Sequence, residues 1–128
     1  MKTFITFLFT IITILLASFL SSLPWWSFLV PLFLLGVFLP LVKWKVNAFL
    51  TAFFGGLFTW IGATLYYEMT YEGQLIEAIG EVMQLNPILL YGLVGLIGGT
   101  LSGLAVYSGF LLRKGREALR LDIHTINE

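Results

Sequence analysis

The chain has 128 residues, of which 59% are hydrophobic and only 11% are charged. A soluble domain carries about 25% charged residues, and a chain this short keeps too much surface to bury so many apolar side chains in water. The composition therefore excludes an ordinary soluble globule and predicts an all-α integral membrane protein. Seven Lys or Arg balance seven Asp or Glu, so the net charge indicates no nucleic-acid partner, and the lipid bilayer is the expected partner. There is no cysteine, which excludes disulfides and thiolate metal sites.

The apolar residues fall in four long windows. The hydrocarbon core of a membrane is about 30 Å thick, so a spanning helix needs roughly 20 apolar residues. None of the four windows contains Asp, Glu, Lys, Arg or His. They predict a four-helix transmembrane bundle in a single transmembrane domain (1–112), followed by a tail (113–128). The windows cover about 4–22, 26–42, 46–67 and 87–112.

The basic residues predict the orientation of the bundle. They are Lys2, Lys43, Lys45, Arg113, Lys114, Arg116 and Arg120. The first precedes window one, the next two separate windows two and three, and the last four follow window four. The link between windows three and four instead carries Glu68, Glu72, Glu77 and Glu81 and no basic residue. Basic residues in short loops stay in the cytoplasm, so both termini are predicted to be cytoplasmic, and the compact multi-pass chain suits a bacterial inner (plasma) membrane.

The first window has a second interpretation. Lys2, the apolar stretch and the small residues Ala17 and Ser18 are also typical of a cleaved signal peptide. The stretch is longer than a usual signal-peptide core and lacks a clear A-x-A cleavage site, so we expect a retained span. Cleavage would leave three spans with the same loop orientation.

One amphipathic segment lies between windows three and four, at about 74–85. Ile76, Ile79 and Met83 recur there at helical spacing, while the glutamates of the segment fall on other faces. The pattern predicts a short helix lying in the outer membrane interface. Asn86 then suits the N-cap of the fourth span.

Small residues are predicted to form the contacts between the helices. Helices in lipid associate through close packing and hydrogen bonds, and small residues let two backbones approach. Window four carries a G-x-x-x-G-x-x-x-G run, and window three carries a comparable stripe. Whether these faces pack within one chain or between chains is open at this stage. The predicted packing interface consists of Gly92, Gly95, Gly99, Gly103, Ala52, Gly55 and Gly62.

Window two has a different character, with several Phe and Leu residues and with Pro31 and Pro40. Proline removes a backbone donor and clashes with the preceding helical turn. The second span is therefore predicted to be kinked, peripheral and lipid-facing.

Window one carries Thr6, Thr10 and Thr13 along one face. These hydroxyls could line a polar path for a solute. The alternative interpretation is that each hydroxyl bonds to a carbonyl of its own helix and that the face fits a tight interface.

The sequence offers no catalytic, cofactor or metal site. Ionisable residues inside the membrane ordinarily mark proton relays and substrate sites, and none lies in the four windows. We therefore expect neither an enzyme nor a cofactor. The leading hypothesis is a non-catalytic accessory or assembly subunit, which packs against itself or another membrane protein through its glycine faces. The alternative is a small homo-oligomeric channel or transporter for an ion or a small solute.

Overall fold

A computed structural model describes residues 1–19, 24–71 and 73–126. The end of the first predicted span at 20–22, Glu72 of the acidic link and the last two residues of the predicted tail lie outside the described residues. The described part is almost entirely helical and has no strand, which confirms the predicted all-α class. Its elements are α1 (Lys2–Phe19), a 3-10 turn (Trp25–Phe28), α2 (Leu29–Phe38), α3 (Leu41–Trp44), α4 (Ala48–Thr70), α5 (Gln74–Met83) and α6 (Pro87–Ile126).

Three helices of the described chain, α1, α4 and α6, are long and apolar enough to cross a membrane. The fourth apolar helix, Trp25–Phe38, is shorter. At 1.5 Å per α-helical residue and 2.0 Å per 3-10 residue, it covers roughly 23 Å. The four predicted windows thus correspond to three long helices and one short one.

The second window is interrupted close to its end. Leu39 has an extended backbone with ψ 137°, because a residue before proline is pushed away from the helical region. After Pro40 the chain makes the single turn α3 and leaves it at Lys45, whose φ is 53°. Asn47 then starts α4, with its side-chain oxygen accepting from the Leu50 N–H at 3.2 Å.

A left-handed glycine comes directly before α5. Gly73 has a φ of 76°, a left-handed conformation that glycine adopts without a steric penalty. The Glu68 carboxylate accepts a hydrogen bond from the Ile76 N–H at 3.1 Å, so α4 satisfies one of the open donors at the start of α5. The predicted amphipathic helix forms, with Ile76 buried and Val82 86% exposed.

The last helix is longer than its window. It starts as predicted, with the Asn86 side chain accepting from the Ile88 N–H at 3.1 Å, and it continues without a break for 40 residues. The predicted tail is therefore helical as far as Ile126. An i,i+4 ion pair between Arg113 and Glu117 at 3.1 Å supports this continuation. The whole helix is about 60 Å long.

The directions of the helices follow from the residues that meet. Gly95 meets Ile61 and Gly103 meets Phe49, so α4 and α6 run antiparallel. Residues near the start of α1 adjoin Lys45, and residues near its end adjoin the end of α4. Hence α1 runs parallel to α4.

The short helix α2 runs in the direction of α6. The ring of Phe28 contacts Trp60 near the level of Gly98, while Phe38 lies beside Arg113. The described bundle therefore has two ends of different charge. The basic end carries Lys2, Lys43, Lys45 and Arg113, and the acidic end carries Glu68, Glu77 and Glu81.

Candidate functional site

The central part of the predicted glycine stripe packs against α4 of the same chain. A Cβ atom built on Gly99 would lie 2.8 Å from the carbonyl oxygen of Phe53. One on Gly95 would lie 2.7 Å from the Cγ1 of Ile61, and one on Gly103 would lie 2.9 Å from the ring of Phe49. At Gly99 the obstacle is backbone, which cannot turn aside, so Gly99 sets the distance between α4 and α6. At Gly95 and Gly103 a side chain of α4 would first have to shift.

A second row of small residues runs beside the first. A Cβ on Gly56 would lie 2.6 Å from the Cβ of Ser102, and Gly98 is covered by the indole of Trp60. The fully buried Ser102 hydroxyl donates to the Gly98 carbonyl at 2.7 Å. The contacts of Gly56 with Ser102 and of Gly98 with Trp60 widen the interface between the two helices beyond the single G-x-x-x-G stripe.

The contact between α2 and α6 was not predicted. A Cβ on Gly36 would collide with the Val106 carbonyl, and one on Gly109 would lie 2.9 Å from the backbone nitrogen of Val37. Leu32 of α2 is fully buried. The prediction that the second span is peripheral and lipid-facing is therefore wrong for this face of α2. Gly36 is a lone glycine among bulky residues, so no repeat in the sequence pointed to it.

The threonines of α1 are used mainly for packing. Thr6 and Thr10 are fully buried, and their hydroxyls donate to the carbonyls of Lys2 and Thr6 at 3.1 and 2.9 Å. The Thr10 methyl group lies 3.0 Å from the position of a Cβ on Gly55. Thr13 is half-buried in an apolar groove between α1 and α2. The geometry favours a tight interface over a polar path, because the two buried hydroxyls are already bonded within their own helix.

Two members of the predicted interface lie outside the internal packing. The other predicted members in α4 are used inside the bundle, since Ala52 is fully buried and Gly55 contacts α1. In contrast, Gly62 and Gly92 are exposed, and no described atom that a new side chain would meet lies within 4 Å of a Cβ at either position. The structure thus uses the middle of the predicted stripe inside the chain and leaves one glycine of α4 and one of α6 on the surface.

Arg113 holds the end of α2 against α6. Its guanidinium donates to the carbonyls of Val37 and Phe38 at 3.2 and 2.8 Å, and these carbonyls lie in the last turn of α2, where helical partners run out. The cation also lies at the negative end of the α2 dipole. Sequence reasoning assigned Arg113 only to the topology and missed this contact, which joins residues 75 positions apart.

Most buried side-chain polar groups of the bundle are bonded within their own helix, whereas the buried indole nitrogen of Trp60 has no hydrogen-bond partner among the described residues. The buried hydroxyls of Thr59 and Ser102 donate to carbonyls four residues earlier. Within residues 1–19, 24–71 and 73–126, no group of three His, Asp or Glu side chains is placed to hold a metal ion. No family model matches the chain, and neither a curated protein nor a solved structure matches it significantly.

Proposed function

We propose that the chain is a non-catalytic accessory or assembly subunit of a membrane complex, anchored by four spans with both termini in the cytoplasm. The separation of charge supports this topology, since Lys2 and Arg113 share one end of the bundle and Glu68 and Glu77 share the other. Basic residues in short loops remain in the cytoplasm. The membrane we propose is a bacterial inner (plasma) membrane, which suits a compact multi-pass chain.

The shortness of the second span is compatible with this topology. Trp25 and Trp26 are exposed at its start, where indole rings favour the headgroup level. Arg113 marks the opposite level at its end. The helix is shorter than the hydrocarbon core by several ångströms, which local thinning of the bilayer accommodates at modest cost.

We place α5 in the outer interface. Its Ile76 is buried against the bundle, whereas Val82 and Met83 are exposed on another side. A helix with one face on the protein and apolar side chains facing outward fits the boundary between headgroups and acyl chains.

The observation that carries the proposal is the exposure of Gly62 and Gly92 in segments of spanning length. Gly62 lies in a groove of about 440 Å³ between α1 and α4, next to Ser18 and Ala63. Small residues at such a position let the backbone of another helix come close. The internal packing does not require either glycine, so both are available to a helix of a partner subunit.

The test compares glycines inside the bundle with glycines on its surface. Gly62→Leu and Gly92→Leu are expected to keep the melting temperature of the wild type, because open space surrounds both positions. After gentle extraction from the native membrane, the wild type is expected to carry a stoichiometric foreign subunit, and these two variants are expected to lose it. Gly115→Leu is the matched control, since Gly115 is also open but lies beyond the spans.

Two results would overturn the proposal. One is retention of the companion by both surface variants, which would place the contact elsewhere. The other is a homo-oligomer without a companion, which would favour the small channel or transporter. In that case flux through purified protein in liposomes is expected to depend on Thr10 and Thr13.

A further inference from the structure

An arginine-lined groove lies at the basic end of the bundle. It is formed between the end of α2 and the part of α6 beyond the spans, and its volume is about 600 Å³. Arg113, Arg116 and Arg120 line it together with Val37 and Phe38. The three arginines follow one another at intervals of three and four residues, so they lie on one face of α6. We call this feature the arginine groove.

The positive charge of the arginine groove is largely uncompensated. Arg113 is paired with Glu117 and bonded to the end of α2. Arg116 and Arg120 are exposed, and neither makes an ion pair within the described part of the chain. Glu117 is the one carboxylate that lines the groove. An anion is therefore the ligand that its charge favours, because guanidinium groups bind phosphate through paired hydrogen bonds.

The arginines after Arg113 lie near the level of the headgroup layer. Arg113 lies directly after the fourth window, and along a helix Arg116 follows it by about 4.5 Å and Arg120 by about 10.5 Å. The headgroup layer adds roughly 5–8 Å to each side of the hydrocarbon core. If α6 crosses the membrane as proposed, the backbone of Arg116 lies within this layer, and that of Arg120 lies a few ångströms beyond it, from where a long side chain can reach back to the lipid phosphates.

A second, apolar groove shares Phe38 with the arginine groove. It runs between α1 and α2, has a volume of about 700 Å³, and is lined by side chains such as Leu16, Val30 and Leu34. Phe38 lines both grooves. The shared Phe38 places an anion-binding groove beside an apolar one, an arrangement that suits a molecule with an anionic head and an apolar tail.

We propose that the two grooves bind one anionic phospholipid of the cytoplasmic leaflet. Arg116 and Arg120 bind its phosphate, and one acyl chain lies in the apolar groove past Phe38 and Leu34. Basic pockets between spanning helices on the cytoplasmic side suit anionic headgroups. The inference rests on the proposed membrane topology, but it is independent of any partner subunit.

The test measures lipid bound to the purified protein by native mass spectrometry. The protein is exposed to equal amounts of phosphatidylglycerol and phosphatidylcholine with identical acyl chains. Wild type is expected to retain phosphatidylglycerol with a preference of about tenfold or more. Arg116→Gln/Arg120→Gln is expected to lose the preference. The control Lys2→Gln/Lys114→Gln removes the same amount of charge from the same end of the bundle and is expected to keep the preference for phosphatidylglycerol.

Two further measurements complete the test. One distinguishes a lipid phosphate from free inorganic phosphate, and the other tests whether the acyl chain contributes to binding. Excess inorganic phosphate is expected to leave the lipid bound, because the acyl chain also holds it. Leu34→Trp, which narrows the apolar groove, is expected to lower lipid retention severalfold while the arginines stay in place. This variant also tests the proposal if the double arginine variant does not fold.

The proposal is overturned if the arginine and control variants retain equal amounts of phosphatidylglycerol, or if inorganic phosphate displaces the lipid. A second copy of the chain or a protein bound in place of lipid would also overturn it. Because the readout is bound lipid, these results are distinguishable from the loss of a companion subunit in the test of Gly62 and Gly92.

Discussion

The helices around α6 and the helix α1 are packed in different ways. Both α2 and α4 approach α6 at glycines, with backbone against backbone at Gly36 and Gly99. α1 contacts α4 at Thr10 and Gly55 and leaves grooves on both of its sides. Only 17% of its spanning window is buried, against 33% for α4 and for α6.

This difference indicates what decides which helices pack most tightly in an apolar chain. All four segments are hydrophobic, and lipid competes for apolar surface as well as a neighbouring helix does. The segments that form the tightest unit are those whose backbones meet directly at a glycine, whereas Gly55 meets only a side chain of α1. Each of the following substitutions tests whether the unit of α2, α4 and α6 is more sensitive than α1.

The largest effect is expected for Gly36→Leu, at the crossing of α2 and α6. The new side chain would meet the backbone of Val106, which cannot rotate away, so the helices must separate. Overpacking costs about 1–3 kcal/mol where side chains can adjust, and we expect at least about 3 kcal/mol here. Reversible unfolding in mixed micelles measures the change. Gly115→Leu is the control. An equal free energy of unfolding for both variants would contradict the close contact of α2 and α6 at Gly36.

A somewhat smaller loss of stability is expected for substitutions between α4 and α6, and its size should differ between Gly99→Leu and Gly103→Leu. Gly99→Leu meets the carbonyl of Phe53, whereas Gly103→Leu first meets the ring of Phe49, which can turn. We expect both to lower the free energy of unfolding by about 1–3 kcal/mol, with Gly99→Leu the more severe. The same micelle titration decides the order, and the reverse order would show that the two helices are not spaced by Gly99.

Arg113→Gln is expected to cost about 1 kcal/mol. It removes the charged donor to the last carbonyls of α2, and such bonds contribute less when the group is partly exposed. Lys114→Gln removes the neighbouring charge without this contact and serves as the control. Thermal stability in detergent is the measurement, and equal melting temperatures would show that Arg113 does not hold α2.

The smallest effect is expected for Thr10→Val. Valine keeps the shape that packs on Gly55 and loses only a hydrogen bond within α1. Even hydrogen bonds between membrane helices contribute only about 0.6 kcal/mol on average. We expect a change below about 1 kcal/mol in the mixed-micelle titration. A larger loss would show that the Thr10 hydroxyl has a role beyond its own helix.

The sequence predicted the elements better than their contacts. Apolar windows and charged links are local, so the helices and the Asn86 cap could be located along the chain. Pro40 predicted a kink in the second span, whereas in the structure the helix ends there and a separate turn, α3, follows. The pairing of Gly36 with the Val106 backbone was not predictable, because it depends on which face of α2 meets α6. Likewise, Gly62 and Gly92 continue the pattern of the stripe, yet both are exposed and neither contacts another helix.

The most direct test of the central claim is a disulfide between α4 and α6. The chain has no cysteine, so Ile61→Cys and Gly95→Cys introduce a single pair, and the substitution removes the Ile61 atoms that approach Gly95. Oxidation in the membrane is expected to give a cross-link within one chain. The two single variants, expressed together, are expected to give no linked dimer. A disulfide-linked dimer from the single variants would contradict the account and assign the glycine stripe to contacts between chains.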